Sequence, residues 1–266
     1  MITRFLFNPK TRKSVLPWIT TPILLLILIS IWSAYIRFSG VSAFILPTPS
    51  SVWHEWVAML TDPRAWNHTL MTAYATVVGF LWAMLVGVTV GVLIGRFRWL
   101  EQTLNPFIIA TQVMPKVAFV PLFIVWFGFG ITSKVIVAAV LAFFPIMTNT
   151  VLGVKSVDAG HRDVVTSLNA TGWQRFYRVE LPSSLPYILT GMEVGIVLAI
   201  IGAIVGEYLG GSTGLGYMMI ARMNAFQTDQ LFAVIIHMTL LGFAFYFIIG
   251  LLRRILIPWH QSTKGN

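Results

Sequence analysis

Residues 158–182 read DAGHRDVVTSLNATGWQRFYRVELP, a polar stretch between two long apolar segments. The flanking segments run from Val135 to Val154 and from Pro186 to Gly206, the second interrupted only by Glu193. Each holds about the 20 mostly apolar residues that a helix needs to cross a bilayer core. A polar insert with helical periodicity between two such segments predicts a folded loop that contacts something in the aqueous phase.

The composition of the whole chain indicates an integral membrane protein. Its 266 residues are 57% hydrophobic and 10% charged, whereas soluble domains are about 25% charged. Cysteine is absent, which excludes disulfides, thiol nucleophiles and thiolate metal sites. We expect an all-α, polytopic membrane protein with a single transmembrane domain over residues 1–266 and no separate soluble enzyme domain.

The apolar segments predict six transmembrane helices. The first follows a basic start that resembles a signal peptide, but its apolar run is too long and no small-x-small cleavage motif follows, so a retained anchor is expected. The predicted spans are Val15 to Ile36, Thr69 to Gly95, Val117 to Ser133 with an upstream extension from Thr103, Val135 to Val154, Pro186 to Gly206, and Leu231 to Leu252.

The distribution of lysine and arginine predicts the orientation, since cytoplasmic loops retain basic residues. With the N-terminus inside, thirteen basic residues fall in inner segments and four, namely Arg37, Arg64, Lys134 and Arg222, in outer ones. Residues 1–14, 158–182 and 253–266 are therefore predicted to be cytoplasmic. The same distribution explains the net charge of +9 without a basic tract for phosphate contacts, so nucleic acid is not an expected partner.

Two outer segments are predicted to be structured. Leu46 to His68 starts with the turn LPTPSS and continues as a short helix, which is expected either to lie in the membrane interface or to pack on the bundle. The glycine-rich segment GGSTGLG, Gly210 to Gly216, lacks the spacing of a nucleotide-binding loop. It is interpreted as a tight turn at the outer mouth of a pathway.

The insert itself is predicted to form two helices joined by a sharp turn. Val164, Val165 and Leu168 recur at helical spacing, and Asn169 tolerates the left-handed conformation that often ends a helix. Thr171 stands three residues before Gln174, a capping box that opens a second helix, which is expected to end at Leu181-Pro182. This pattern alone fits both a membrane-surface hairpin and a knob that inserts into a soluble partner.

Several motifs in series resemble those of the inner-membrane permeases of bacterial ABC importers of the nitrate/sulfonate/taurine type. These permeases carry a cytoplasmic Glu-Ala-Ala motif followed by a glycine and a later Leu-Pro, the EAA loop. Counting back from Leu181-Pro182, the three motif positions fall on Asp163, Val164 and Val165, and the glycine on Asn169. Further matches are LPTPSSV (46–52), MPKVAFVPLFIVWFGFGITSKV (114–135), LPSSLPYILTGM (181–192) and GEYLGGSTGLGYM (206–218).

The resemblance implies the type I ABC importer permease fold and a function divided among several chains. A second copy of the permease would form a homodimer with the first and complete the pathway in the bacterial inner membrane. Two cytoplasmic ATPase subunits would bind ATP and magnesium. A periplasmic or lipid-anchored binding protein would deliver a small, often anionic solute such as a sulfonate, nitrate or an aromatic acid. This chain would hold no cofactor and no catalytic site. The implied ATPase-coupling residues are Asp163, Val164, Val165, Leu168, Asn169, Ala170, Thr171 and Gly172.

Ionisable side chains inside a membrane are costly and are candidates for function. Lys116, between Pro115 and Pro121, is interpreted either as a pathway residue or as a lysine that snorkels to the interface or pairs with a carboxylate such as Glu193 or Glu207. Glu193 is expected to pair with an arginine or a backbone donor, and His237 to be a hydrogen-bonded packing residue, with no metal site. The complete set of pathway or gate candidates is Met114, Lys116, Glu193, Glu207, Arg222 and His237.

Two other classes of function remain as alternatives. A secondary transporter or channel would work without an ATPase and predicts inverted repeats or paired midplane acids, which the sequence lacks. An intramembrane enzyme needs a nucleophile with a base, and the available pair, Ser212 and His237, places the serine in a loop. The sequence favours the importer permease.

Overall fold

The computed structural model describes residues 9–258, and the side chains of these residues except 9–18, 159 and 162. The predicted cytoplasmic termini therefore lie partly outside the described residues, at 1–8 and 259–266. The described chain is all-α and contains no strand, as the sequence predicted. Its helices are α1 (Pro9–Ser39), α2 (Pro49–Thr61), α3 (Pro63–Arg96), α4 (Arg98–Val113), α5 (Val120–Phe127), α6 (Ile131–Lys155), α7 (Ala159–Ser167), α8 (Gly172–Arg175), α9 (Leu181–Gly210), α10 (Leu215–Asn224) and α11 (Thr228–Leu256).

Five described helices are long and apolar enough to cross a membrane, and a sixth span results if a bent pair is counted as one. That pair is α4 with the segment Lys116–Phe127, which meet at an angle of 85°. The predicted boundary of this span at Ser133 is wrong, because α5 ends at Phe127 and the chain turns at Gly128, whose φ is +80°. Only glycine adopts such a backbone without strain, and Ser133 already belongs to α6.

The core of the bundle consists of α3, α6 and α9, which pack closely through small side chains. Ala138 and Ala142 of α6 and Ala199 and Ala203 of α9 are buried in one cluster. Glycines of α3 face α6 so tightly that a Cβ added at Gly91 would lie 2.6 Å from a side-chain carbon of α6. Small residues let helix backbones approach closely, and the resulting van der Waals packing helps to drive the association of helices in lipid.

The two ends of α3 define the two sides of the molecule. Its last residue, Arg96, contacts the segment that contains α7 and α8, and this end is called the loop side. Its first residues follow α2 directly, and this end is called the far side. On the far side, α2 buries Val52 and leaves Trp53 64% exposed, so one face packs on the bundle while the other faces outward.

The helix that follows the polar insert does not end at Leu181-Pro182, and that prediction is wrong. A single π-helical turn, Phe176–Glu180, connects α8 to α9, and the N–H of Leu181 donates to the carbonyl of Phe176. Proline has no N–H and cannot make the usual hydrogen bond to the preceding turn of a helix. A π turn changes the hydrogen-bonding register just before Pro182, so the helix continues through it. As a result, one continuous helical segment runs from Gly172 in the polar insert to Gly210.

Candidate functional site

The polar insert folds as the predicted helix, turn and helix. Asp158 caps α7 by accepting a hydrogen bond from the N–H of Gly160 at 2.7 Å. Asn169 ends the helix with a φ of +51°, and the N–H of Ala170 donates to the carbonyl of Val165 at 3.2 Å. A left-handed residue with such a back-bond is a common way to end a helix, and it fixes the direction of the chain that follows.

The return helix α8 starts with the predicted capping box. The N–H of Gln174 donates to the hydroxyl of Thr171 at 3.3 Å, and the N–H of Thr171 donates to the side-chain oxygen of Gln174 at 2.9 Å. A guanidinium nitrogen of Arg175 lies 3.4 Å from the hydroxyl of Thr166 on α7. The capping box fixes the start of α8, and the contact between Arg175 and Thr166 joins α8 to α7.

The face that α7 and its turn present is apolar and uncovered. Val164 is 60% exposed and Leu168 is 75% exposed, and Asp163 is exposed beside them. The neighbouring positions are less open, since Val165, Ala170 and Gly172 are half-buried. We call the exposed surface formed by Asp163, Val164 and Leu168 the α7 face.

An exposed aromatic group lies on the return helix beside the α7 face. The ring centroid of Trp173 lies 6.0 Å from that of Phe176 and 5.7 Å from that of Tyr177. Trp173 is 69% exposed and Tyr177 is 60% exposed. Glu180, by contrast, is buried at the start of the spanning helix.

Two predicted pathway residues lie near the bent span, where Met114 is exposed and Lys116 is half-buried. Met114 directly follows the last residue of α4, at the 85° bend, and is 41% exposed. The ammonium of Lys116 lies 4.8 Å from the ring centroid of Phe144, so the lysine makes a cation–π contact rather than an ion pair with Glu193 or Glu207. Of the alternatives for Lys116, the one that pairs it with either glutamate is therefore wrong.

The other predicted pathway residues each have partners inside the chain. Glu193 accepts a hydrogen bond from the guanidinium of Arg253 at 2.8 Å, which confirms the expected pairing with an arginine. His237 lies 3.0 Å from the hydroxyl of Thr69, as expected for a hydrogen-bonded packing residue. Arg222 donates to the side-chain oxygen of Gln227 at 2.9 Å. These three residues do not meet each other or Lys116.

Glu207 lies at the centre of a polar cluster on the far side and is completely buried. The hydroxyl of Thr72 lies 2.9 Å from both oxygens of its carboxylate, and the N–H of Gly216 donates to Oε2 at 2.9 Å. The same hydroxyl accepts from the N–H of Leu215 at 2.8 Å. The carboxylate and the hydroxyl together fasten the start of α10 to α3 and α9.

The glycine-rich turn before α10 is also held by a side chain of α6 and by a second side chain of α3. The ammonium of Lys134, on α6, donates to the carbonyl oxygen of Thr213 at 2.6 Å, and Nδ1 of His68, on α3, accepts from the N–H of Gly214 at 2.9 Å. Gly214 has a φ of +107°, and a Cβ there would lie 2.0 Å from the carboxylate carbon of Glu207. The tight turn predicted from this glycine-rich segment is confirmed, and only glycine fits at its centre.

Sequence reasoning missed two members of this cluster. Lys134 is wrongly predicted to lie in an outer loop, whereas it belongs to the first turn of α6 and is 2% exposed. Thr72 was not singled out, although Thr69, Thr72 and Thr76 recur at helical spacing and all three are buried. Such a polar stripe in an apolar helix is a usable signal for a buried polar partner.

No group of three metal-ligating side chains comes together among residues 9–258. Two features of the described chain are instead candidates for function. One is a rigid, exposed helix-turn-helix on the loop side, and the other is a buried polar cluster that anchors the opposite end of the bundle.

Comparison with known proteins gives the family. Residues 83–260 match the family described as binding-protein-dependent transport system inner membrane component. The chain belongs to this family. It is 37% identical to the riboflavin transport system permease protein RibX of Chloroflexus aurantiacus, over 92% of both chains. It is also 33% identical to the putative aliphatic sulfonates transport permease protein SsuC of Bacillus subtilis, over 93% of this chain and 90% of the relative.

A solved structure shares the fold. A chain of the MetNI methionine ABC transporter, in an inward-facing conformation, matches with a TM-score of 0.65 at 17% identity, covering 74% of this chain and 99% of that one. The predicted resemblance to ABC importer permeases and the predicted permease fold are therefore confirmed. The chain is a multi-pass membrane protein of this family.

Proposed function

We propose that this chain is the membrane-spanning subunit of an ATP-driven importer and that its α7 face docks on a separate cytoplasmic ATPase. Two copies would form the pathway, each copy would engage one of two ATPase subunits, and a periplasmic or lipid-anchored binding protein would deliver the solute. ATP and magnesium would bind to the ATPase. ATP hydrolysis would thus be the partner's reaction, and this chain would move the solute.

The exposed helix-turn-helix is the observation that carries the proposal. An exposed leucine and an exposed valine on a capped, internally bonded helix form an apolar surface that a partner can cover. The turn that follows is fixed by a left-handed Asn169, so the surface can transmit a rigid-body displacement. A membrane-surface hairpin explains the exposure equally well but not the position of Asp163 at the first place of the family motif.

The valines at the second and third motif positions have different environments. Val164 is exposed, so its larger side chain adds apolar area to the docking face. Val165 is half-buried and its carbonyl takes part in the turn, so its extra volume is partly accommodated within the loop. We propose that Asp163, Val164 and Leu168 contact the ATPase, and that Val165, Asn169, Ala170, Thr171 and Gly172 shape the surface that these residues form.

For the pathway, we propose Met114 and Lys116 as lining residues. Both lie at the 85° bend of the broken span, where backbone groups leave the helical pattern and where a transport protein commonly places its solute. Glu193, Arg222 and His237 are better explained by their partners within the chain. Glu207 would act by holding the turn at the mouth of the pathway.

The orientation follows from the proposed docking. If the α7 face meets a cytoplasmic ATPase, the loop side is cytoplasmic and the far side faces outward, which agrees with the predicted cytoplasmic position of both termini. The membrane would be the bacterial inner membrane. For the solute, we propose a small and often anionic molecule, supported by the cation at Lys116 and by relatives named for riboflavin and for sulfonates.

The experiment that tests this proposal separates an importer from an ATPase-independent transporter or channel. The chain is purified with its candidate ATPase and binding protein and placed in liposomes, and uptake of the solute that the binding protein retains is measured with and without ATP. We expect the ATPase to co-purify and uptake to require ATP. Uptake by the purified chain alone would show that the alternative is correct.

A further inference from the structure

The polar insert touches the bundle through a cation at the end of α3. A guanidinium nitrogen of Arg96 donates to the carbonyl oxygen of Gly172 at 3.0 Å. The guanidinium carbon of the same side chain lies 5.4 Å from the ring centroid of Phe176. One side chain thus contacts the first residue of α8 and the first residue of the π turn that follows it.

These two contacts suit arginine in particular. A guanidinium is planar, so it can donate in its own plane to a carbonyl while one of its faces lies against an aromatic ring. Lysine keeps the charge but offers a compact ammonium, which cannot make both contacts with the same geometry. A neutral glutamine keeps a donor and loses the attraction to the ring.

The contact joins two parts that are each rigid. On one side, caps fix the starts of α7 and α8, and Arg175 joins the two helices by its approach to Thr166. On the other side, α3 is a continuous helix of 34 residues, which makes it about 50 Å long at ~1.5 Å per residue. A displacement of the insert would therefore reach α3 directly through Arg96, in addition to the covalent route through α9.

The far-side half of α3 carries part of the buried polar cluster around Glu207. Thr72 lies on this helix and bonds the carboxylate of Glu207 and the N–H of Leu215. Between its ends, α3 packs on α6 so closely that its glycines leave no space for a Cβ. Tightly packed elements transmit displacement instead of absorbing it, so α3 links the insert to the glycine-rich turn.

We propose that Arg96 is a positioning residue that transmits the movement of the ATPase-docking insert to α3 and so to the far-side turn. This inference rests on the proposed function, because it requires that an ATPase moves the insert. It assigns a role in energy coupling to a residue outside the family's loop motif.

The test measures coupling rather than folding. The permease, its ATPase and its binding protein are reconstituted together, and solute uptake and ATP hydrolysis are recorded in the same vesicles. For Arg96→Gln we expect the complex to assemble and to hydrolyse ATP, while the number of solutes moved per ATP falls at least about fivefold, the lower range of energetic couplings between distant sites. Arg96→Lys is expected to fall in between.

Two further variants identify the contact. Arg98→Gln is the matched control, because Arg98 is an exposed arginine at the start of the next helix with no hydrogen bond to the insert in the described part of the chain. It is expected to keep the wild-type ratio of uptake to hydrolysis. Phe176→Leu removes the ring, and combining it with Arg96→Gln should lower the ratio no further than Arg96→Gln does.

Several outcomes would overturn the inference. The first is a wild-type ratio of uptake to hydrolysis in Arg96→Gln, and the second is an equal loss of that ratio in Arg98→Gln. The third is a loss of uptake in Arg96→Gln that failed assembly explains entirely, while Arg96→Lys behaves as wild type. Failure of the proposed function looks different. In that case the ATPase does not co-purify, or uptake by the wild-type complex needs no ATP.

Discussion

Replacing Glu207 with alanine removes the acceptor at the centre of the far-side cluster. The N–H of Gly216 then loses its partner, whereas the hydroxyl of Thr72 can still turn to the carbonyl of His68 at 3.2 Å. A buried donor without a partner costs about 1–3 kcal/mol. The missing atoms leave a cavity of about 50 Å³, which adds about 1 kcal/mol at ~24 cal/mol per Å³.

The expected loss of stability for Glu207→Ala is therefore about 2–4 kcal/mol. For a chain of this size, about 1 kcal/mol corresponds to a shift of roughly 2–4 °C in Tm, so Tm should fall by about 10 °C. The assay is thermal unfolding of the purified protein in one detergent, with Tm read for each variant. Glutamine at this position keeps an acceptor for the N–H of Gly216 and should cost much less.

A matched pair of threonines controls for the helix and for burial. Thr72 and Thr76 are both completely buried on α3, but the hydroxyl of Thr76 bonds a carbonyl of its own helix. Thr72→Val should lower Tm almost as much as Glu207→Ala, the double variant should be less than additive, and Thr76→Val should lower Tm by only a few degrees. Equal small shifts for both valine variants, with Glu207→Ala near wild type, would refute the reasoning.

Two further predictions concern backbone positions. Gly91→Ala should destabilise the bundle by about 1–3 kcal/mol because its new Cβ overlaps α6. Gly250→Ala is the control, because a Cβ there meets nothing within 4 Å, and it should leave Tm unchanged or slightly raised. Equal effects of the two substitutions would contradict the close packing of α3 on α6. Asn169→Gly should preserve the turn of the insert, while Asn169→Val should cost about 1–2 kcal/mol because a β-branched residue disfavours a φ of +51°. Amide hydrogen exchange at Ala170 measures this, and protection that is equal in both variants would count against the turn.

What could be predicted from the sequence depended on how local the interactions are. The left-handed Asn169 and the box formed by Thr171 and Gln174 each involve residues within five positions of one another, and both are present as predicted. The number of apolar segments was equally accessible, because each segment carries its own length and composition. The pairing of Glu193 followed from the general cost of an unpaired charge in lipid.

The features that could not be predicted depend on distant contacts. Thr72 and Glu207 are 135 positions apart, so only the packing of α3 on α9 brings them together. The continuation of the helix through Pro182 needs a π turn, which the sequence does not signal. Lys134 follows a glycine-containing turn and was counted with the loops, although its aliphatic stem is buried and its ammonium reaches Thr213.

The central claim is that ATP energy enters this chain through the α7 face. The most direct measurement is stimulated ATP hydrolysis and solute uptake by the reconstituted complex carrying Asp163→Arg, compared with Glu55→Arg, which makes the same change of charge on α2 at the far side. The account predicts that Asp163→Arg leaves the complex intact but abolishes transport-stimulated hydrolysis, and that Glu55→Arg leaves the ATPase response in place. Full stimulation and uptake in Asp163→Arg would contradict the account.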